Sequence, residues 1–173
     1  MKVLFLDRDG VINRDAGYIS QYDDFEFILD NLKGLNFFTN LGFELIIITN
    51  QSGIGRGYFS EEEYQLLTKK YLKDLNRRNI NILDVFHCPH LPQDSCDCRK
   101  PKDGMIQKAK VKYNINLENS ILIGDKISDV QAGKKAGLLK CFLIEGKEAR
   151  YVNKEVKVYS NILEISNHYN ELI

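Results

Sequence analysis

The stretch that decides the fold is Val3-Leu4-Phe5-Leu6-Asp7-Arg8-Asp9-Gly10, at the start of the chain. Four consecutive apolar residues closed by an acidic one are typical of a short strand buried on both faces of a parallel sheet. Ligands of such sheets bind just beyond the carboxyl ends of the strands. The chemistry of this protein is therefore expected at Asp7 and Asp9.

The alternation of strands and helices continues along the chain. Compact aliphatic runs predict strands at residues 45–48, 121–123 and 141–144. Helical spacing predicts helices at residues 60–78, 103–113, 128–136 and 162–169; Ser60 and Glu63 form a capping box for the first, and Gly137 ends the third. Strands that alternate with helices predict a parallel sheet in an α/β fold.

Length and charge exclude several classes of protein. A chain of 173 residues with 43% hydrophobic content is expected to form one domain over residues 1–173. Lys plus Arg equals Asp plus Glu at 24 each, so no net charge attracts nucleic acid or a membrane. No apolar run approaches the roughly 18–20 residues that span a bilayer, and the N-terminus lacks a secretory signal. We expect a cytoplasmic protein, with a monomer as the default state.

The pair Asp7 and Asp9 allows two interpretations. Residues two apart on a strand point to the same side, and two carboxylates there repel each other unless a cation or a proton neutralises them. Mg²⁺, which prefers oxygen ligands, is the natural cation. The pair on its own also fits a structure in which Asp7 ends the strand and Asp9-Gly10 makes a turn.

Polar residues at other strand ends favour the first interpretation. Thr49 follows one predicted strand, and Asp125 follows another, with Asp129 four residues further on. Arg99 and Lys100 supply two cations between them. Carboxylates, a hydroxyl and a lysine at neighbouring strand ends suit metal-assisted phosphoryl transfer, which consists mainly of positioning and charge neutralisation.

This order of motifs resembles that of the haloacid dehalogenase-like phosphatases. The resemblance implies a three-layer α/β/α Rossmann-like fold, with Asp7 as the nucleophile that becomes an aspartyl phosphate. It implies that Asp9 is the acid and then the base, and that Thr49 and Lys100 hold the phosphoryl oxygens. Asp7, Asp125 and the backbone carbonyl of Asp9 would bind Mg²⁺. The segment between Asp9 and Phe43 is too short for a cap domain beyond a loop and one helix.

The loop 88–98 holds a second candidate metal site. Cys88 and His90 are followed by Cys96 and Cys98, and three thiolates with one imidazole are typical of a structural zinc site. A Cys96–Cys98 disulfide or free thiols are the alternatives, although such a short ring would be strained and the cytoplasm is reducing. His87 could replace His90 as the imidazole donor. The resemblance assigns His90.

Two branches of the resembled superfamily carry such a zinc loop: heptose-bisphosphate phosphatases and histidinol-phosphate phosphatases. Residues 7–13, 15–18, 49–57 and 124–126 look like the heptose branch, whereas the short zinc loop is closer to the histidinol-phosphate form. The resemblance therefore implies removal of the 7-phosphate from D-glycero-D-manno-heptose 1,7-bisphosphate, with histidinol phosphate as the alternative substrate. The product would enter ADP-heptose or GDP-heptose synthesis, and thus lipopolysaccharide or other glycoconjugates.

An open site requires that loops supply specificity. The bidentate fork of Arg99 could bind the distal phosphate, or could form an ordinary salt bridge near Asp97. The candidate substrate contacts are Asp15, Ala16, Gly17, Tyr18, Asn50, Gln51, Ser52, Arg99 and Lys126.

Two functions of other classes also deserve comparison. A phospho-accepting receiver domain uses similar residues, but its acidic pair closes the first strand while a later strand carries the phosphorylated Asp. A dinucleotide-binding loop is suggested by Gly53-Ile54-Gly55-Arg56-Gly57. That spacing differs from Gly-x-Gly-x-x-Gly, and no acidic residue ends a strand about 20 residues later. A flexible loop close to the substrate is the preferred interpretation of these glycines.

Overall fold

The computed structural model describes residues 1–146 and 157–171. Its strands are β1 (Val3–Leu6), β2 (Glu44–Asn50), β3 (Ile82–Cys88), β4 (Ile121–Gly124), β5 (Lys140–Ile144) and β6 (Val158–Tyr159). In the described residues they form one parallel sheet in the order β3-β2-β1-β4-β5-β6. The predicted domain 1–173 also includes residues 147–156 and 172–173, which lie outside the described residues.

Helices cover both faces of the sheet. They are α1 (Leu29–Asn40), α2 (Ser52–Gly55), α3 (Glu61–Arg77), α4 (Gly104–Tyr113), α5 (Ile127–Ala136) and α6 (Ile162–His168). Alternate residues of β1 serve the two layers: Leu4 and Leu6 pack with α1, α3 and α6, whereas Val3 and Phe5 pack with α4 and α5. The predicted three-layer α/β/α architecture is confirmed.

The strand order brings the chemistry-bearing segments together. β1 lies between β2 and β4, with Leu6 level with Ile47 on one side and with Ile123 on the other. The carboxyl ends of these three strands therefore meet at one edge of the sheet. A receiver domain has the order 2-1-3-4-5, in which the first and third strands are neighbours. The observed order excludes that alternative.

The predicted elements are present, with small shifts at their ends. The helix predicted at 60–78 begins after Ser60, whose side chain makes the expected capping box with Glu63. Gly137 ends α5 in the left-handed conformation, at φ 98°. β3, β6 and α2 were not predicted, and α1 was foreseen only as one helix, without bounds, between Asp9 and Phe43. The glycines at 53–57 were predicted to form a flexible loop near the substrate, but part of that segment forms α2.

The segment between β1 and β2 lacks a separate folded unit in its described residues. Its helix, α1, buries Leu32, Leu35 and Phe38 in the core. The prediction that no large cap covers the site is therefore confirmed. Among the described residues, no helix is both long and apolar enough to cross a bilayer.

Candidate active site

Asp7 lies at the base of the site. Its backbone N–H continues the β1–β4 ladder by donating to the carbonyl of Ile123 at 3.1 Å, which fixes its position at the strand end. Its side chain is buried, at 4% exposure of the residue. The Nζ of Lys100 donates to Oδ1 at 2.8 Å. Asp7 is thus a held carboxylate rather than a solvated turn residue.

Lys100 is fixed at both its ammonium group and its backbone. Its Nζ lies 2.8 Å from Asp7 Oδ1, 2.6 Å from Asp129 Oδ1 and 2.7 Å from the carbonyl of Ile48. The side-chain amide of Asn50 bonds both backbone groups of Lys100, each at 3.0 Å. Burial opposes its charge, but the two carboxylates raise the pKa of Lys100 above its usual value. Lys100 therefore stays a cation beside Asp7.

Three buried carboxylates converge at this edge of the sheet. Oxygens of Asp7, Asp125 and Asp129 lie within 4.8 Å of one another. Oδ1 of Asp125 is buried and has no hydrogen-bond partner in the described part of the chain, and the ammonium of Lys126 lies 3.6 Å from it. Burial, followed by the charge of Asp7, raises the pKa of Asp125 to about 8. A cluster of oxygen ligands short of positive charge fits Mg²⁺.

Gly10 allows the close approach of the first and fourth strand ends. Its φ is +89°, and a Cβ at this position would lie 2.2 Å from Oδ2 of Asp125. Any other residue would push Asp125 away from Asp7. The glycine after the Asp-x-Asp pair is therefore required by the packing of the carboxylate cluster.

Asp9 is held by three donor residues from two segments. Arg8 forms a two-pronged ion pair with it, Asn13 donates to Oδ1 at 3.0 Å, and Gln51 donates to Oδ2 at 2.9 Å. Burial works in the opposite direction, but the Arg8 charge and these hydrogen bonds lower the pKa of Asp9. Asp9 borders the open cavity while Asp7 lies beneath it.

Thr49 and Gln51 form a small buried unit beside Asp9. Gln51 Nε2 donates to Thr49 Oγ1 at 2.8 Å as well as to Asp9. Thr49 is 1% exposed. The predicted substrate contacts Asn50 and Gln51 thus have protein partners, Lys100 and Asp9, although both also border the cavity.

A cavity of about 710 Å³ opens above these residues. Of the predicted substrate contacts, those that line it are Asp15, Gly17, Tyr18, Asn50, Gln51, Ser52, Arg99 and Lys126. Ala16 is exposed and is not among the lining residues. Asp15 pairs with Lys126 at 3.3 Å and accepts the backbone N–H of Gly17. Arg99 makes no ion pair with Asp97 in the described residues; its Nη1 donates to the carbonyl of His90 at 3.3 Å.

The cysteine and histidine side chains of the loop 88–98 also converge. Cys88 Sγ lies 3.7 Å from Cys96 Sγ and 3.5 Å from His90 Nδ1, which is 3.3 Å from Cys98 Sγ. Tetrahedral zinc with Zn–S bonds of about 2.3 Å would separate two sulfurs by about 3.8 Å. These cysteines are free, so the predicted alternative of a disulfide is wrong. His87 lies apart and pairs with Glu61 at 3.1 Å.

Three residues of the site were not among the predicted site residues. Asp129 lies in the first turn of α5, four residues beyond Asp125, and its place directly after the end of β4 was a signal that it lies near the same edge of the sheet. Arg8 and Asn13 both contact Asp9. Neither has a local signal, because a charged or polar residue next to a strand end is more often exposed.

The comparisons with known proteins agree with this site. A family model described as HAD-hydrolase-like matches residues 97–163. D-glycero-alpha-D-manno-heptose-1,7-bisphosphate 7-phosphatase from Photorhabdus laumondii subsp. laumondii is 48% identical over 170 residues, covering 94% of this chain and 93% of its own. The D-glycero-beta-D-manno-heptose-1,7-bisphosphate 7-phosphatase from Haemophilus ducreyi is 42% identical, with 90% of each chain covered.

A solved structure gives the same result. The D,D-heptose 1,7-bisphosphate phosphatase from B. bronchiseptica, with magnesium and phosphate bound, matches all of both chains with a TM-score of 0.88 and 27% identity. With sequence relatives that align over nearly their whole length and the carboxylate cluster at the expected strand ends, this chain belongs to the haloacid dehalogenase-like phosphatases, in the group of the heptose-1,7-bisphosphate 7-phosphatases.

Proposed function

We propose that this phosphatase removes the 7-phosphate of D-glycero-D-manno-heptose 1,7-bisphosphate and yields the heptose 1-phosphate. The observation that carries the proposal is the buried Asp7–Lys100–Asp129 arrangement beneath a cavity with cations at its rim, Arg99 and Lys126. Two cations at the cavity in addition to Lys100 suit a substrate that carries a second phosphate. The 7-phosphatase relatives act, by their names, on such a substrate.

Asp7 is the proposed nucleophile. Its carboxylate oxygen attacks phosphorus, and the bond between phosphorus and the sugar oxygen breaks as the aspartyl phosphate forms. Asp9 gives its proton to the departing sugar oxygen. Water then attacks phosphorus, gives a proton back to Asp9, and releases inorganic phosphate and free Asp7. Asp9 is ionised in the substrate-free protein, and the negative phosphoryl group beside it favours the protonated form that the first step needs.

The phosphoryl group would be held by residues that the structure already orients. The Lys100 ammonium is placed to neutralise charge at Asp7 and at the transferred group, and Thr49 is proposed to contact a phosphoryl oxygen. Asp7, Asp125 and the Asp9 backbone carbonyl would hold Mg²⁺, with Asp129 as a further carboxylate nearby. When bound, Mg²⁺ neutralises phosphoryl oxygens during the transfer.

The rim of the cavity is proposed to bind the sugar and its distal phosphate. We propose that Asp15 and Tyr18 contact the sugar hydroxyls, together with Ala16, Gly17, Asn50, Gln51 and Ser52. We propose that Arg99 and Lys126 bind the 1-phosphate, since both line the cavity.

Replacement of Arg99 by alanine should remove the preference for a bisphosphate. We expect kcat/KM for heptose 1,7-bisphosphate to fall roughly 10–100-fold, as for a lost hydrogen bond to a charged group, while kcat/KM for a heptose 7-monophosphate stays nearly constant. Steady-state phosphate release from both esters gives the ratio. Arg77→Ala, on the exposed face of α3, is the matched control. Equal losses on both esters would assign Arg99 to the reacting phosphate or to the structure of the loop.

We also propose that Cys88, His90, Cys96 and Cys98 bind a structural Zn²⁺. The support is the spacing of their four donor atoms, all within 4.8 Å of one another. Four protein ligands leave no open position for a substrate. The zinc loop leads directly into Arg99 and Lys100, so a closed metal site would restrict where these two cations lie. Reduced thiols fit a cytoplasmic location.

Cys96→Ser should lower both zinc content and stability. We expect wild type to contain one zinc per chain and the variant to have lost most of it. We also expect a decrease in unfolding free energy on the order of 4 kcal/mol, as for loss of a structural metal. Elemental analysis and denaturant unfolding measure the two. Cys141→Ser, which changes a cysteine outside the cluster, should keep the zinc. Wild-type protein that contains no zinc after chelator-free purification would contradict the proposal.

The substrate is tested by comparing phosphate release from three compounds under Mg²⁺. They are the α and β anomers of heptose 1,7-bisphosphate and histidinol phosphate. We expect at least one heptose anomer to give the higher kcat/KM. A higher value for histidinol phosphate would overturn the substrate and leave the Asp7 chemistry in place, and it would agree with the short zinc loop.

A further inference from the structure

Arg8 is a buried cation that the proposed chemistry leaves without a role. It stands between Asp7 and Asp9 in the sequence, and it is 0% exposed. Its guanidinium carbon lies 5.8 Å from the ring centre of Phe25 and 5.9 Å from that of Tyr64. A charge rarely occupies such surroundings unless a specific partner stabilises it there.

The partner of Arg8 is the carboxylate of Asp9. Nη2 of Arg8 donates to Oδ1 at 2.8 Å and to Oδ2 at 2.9 Å, and Nε donates to Oδ1 at 3.2 Å. Asn13 and Gln51 each add one donor, on different oxygens. Because both oxygens are held, the carboxylate cannot turn freely, and yet Asp9 still borders the cavity.

The other edge of the guanidinium is poorly satisfied. Nη1 of Arg8 is buried without a hydrogen-bond partner within residues 1–146 and 157–171. An unsatisfied buried donor costs about 1–3 kcal/mol. An apolar side chain at this position, in the layer formed by α3, would avoid this cost. The contacts with Asp9 are therefore what distinguishes arginine from an apolar residue here.

We propose that Arg8 is a positioning residue that fixes the orientation of the Asp9 carboxylate for proton transfer. The inference rests on the acid–base role proposed for Asp9. Arg8 acts through geometry: its planar fork contacts both carboxylate oxygens at once. Lysine would keep the charge but would offer a single point of contact, so the carboxylate could turn away from the sugar oxygen.

The consequence depends on the leaving group of the substrate. A sugar alkoxide needs a proton from Asp9 as it departs, whereas the phenolate of 4-nitrophenyl phosphate departs without one. Because kcat/KM covers the steps up to departure of the alcohol, it isolates this difference. Arg8→Lys should lower kcat/KM for the sugar phosphate at least ~10-fold more than it lowers kcat/KM for 4-nitrophenyl phosphate. This difference is a part of the roughly 10²–10⁴-fold rate gain that a general acid supplies.

The experiment measures both esters in wild type, Arg8→Lys, Asp9→Asn and the double variant. If Arg8 acts through Asp9, the two esters should respond alike to Arg8→Lys once Asp9 is asparagine. In that background, the decreases in kcat/KM for the sugar phosphate and for 4-nitrophenyl phosphate should differ by less than about 2-fold. Arg77→Lys, whose side chain is 66% exposed and pairs with Asp74, should change neither ester. Circular dichroism checks the fold. If Arg8→Lys does not fold, Arg8→Gln, which keeps a planar donor, must show the same split.

The outcomes separate this inference from the proposed function. Equal losses on the two esters, or losses that add fully in the double variant, would overturn the positioning role of Arg8. If Asp9→Asn itself shows no difference between the esters, the role proposed for Asp9 fails, and this inference fails with it. If Asp9→Asn shows the difference and Arg8→Lys does not, only the inference about Arg8 is wrong.

Discussion

Replacement of Asp7 by asparagine should abolish phosphate release, with a decrease in kcat of at least ~10⁴-fold, as expected when the nucleophile of a covalent mechanism is lost. Asparagine has nearly the same shape, so the contact with the Lys100 ammonium keeps an oxygen acceptor. The variant should therefore fold and still bind the bisphosphate. Steady-state release of phosphate, with substrate binding measured by calorimetry, separates chemistry from binding.

Asp23→Asn is the matched control for this experiment. Asp23 is exposed and lies in a short helical turn away from the strand ends, so its amide should leave activity unchanged. Wild-type enzyme quenched during turnover should carry phosphate on Asp7, and the asparagine variant should carry none. An Asp7→Asn enzyme with more than a few per cent of wild-type kcat would show that Asp7 is not the nucleophile.

Replacement of Lys100 by methionine should reduce both stability and activity. The ammonium contacts Asp7, Asp129 and the Ile48 carbonyl, so its removal leaves two carboxylates buried without their cation. We expect a decrease of about 3–5 kcal/mol in unfolding free energy, the usual cost of breaking a buried ion pair. We also expect kcat to fall on the order of 10²–10³-fold, as for loss of one preorganised charge-stabilising group.

Denaturant unfolding in metal-free buffer and steady-state kinetics in excess Mg²⁺ measure the two effects of Lys100→Met. Lys33→Met serves as the control, since Lys33 is 66% exposed and pairs with exposed Asp30, so its removal should cost less than about 0.5 kcal/mol. Full kcat in a folded Lys100→Met enzyme would mean that the Lys100 charge plays no part in phosphoryl transfer.

The central strands could be predicted because they are buried on both faces. β1 and β4 read as unbroken apolar runs that end in Asp7 and Asp125, and the structure places both ends side by side. β3 escaped prediction because it is an edge strand. Its apolar run is interrupted by Asp84, which stays acceptable there because Lys112 and Tyr113 hold its carboxylate. Edge strands lack the periodic signal that burial imposes.

The contacts between distant segments could not be predicted from local pattern. Asn50 was predicted as a substrate contact, and its amide also fixes the backbone of Lys100, fifty residues away, which nothing in the local sequence indicated. Gly55 looked like part of a flexible loop, but its backbone N–H donates to the Pro89 carbonyl, which a Cβ would approach to 2.6 Å. Both relations depend on how β2 and the zinc loop meet in three dimensions.

The proposed 7-phosphatase activity is tested most directly by identifying the product formed from heptose 1,7-bisphosphate under Mg²⁺. Phosphorus NMR distinguishes the phosphate ester at carbon 1 from that at carbon 7 while inorganic phosphate accumulates. We expect one equivalent of inorganic phosphate and heptose 1-phosphate, with no such release by Asp7→Asn. Accumulation of heptose 7-phosphate, or no release of phosphate from either anomer by the wild type, would contradict the proposed activity.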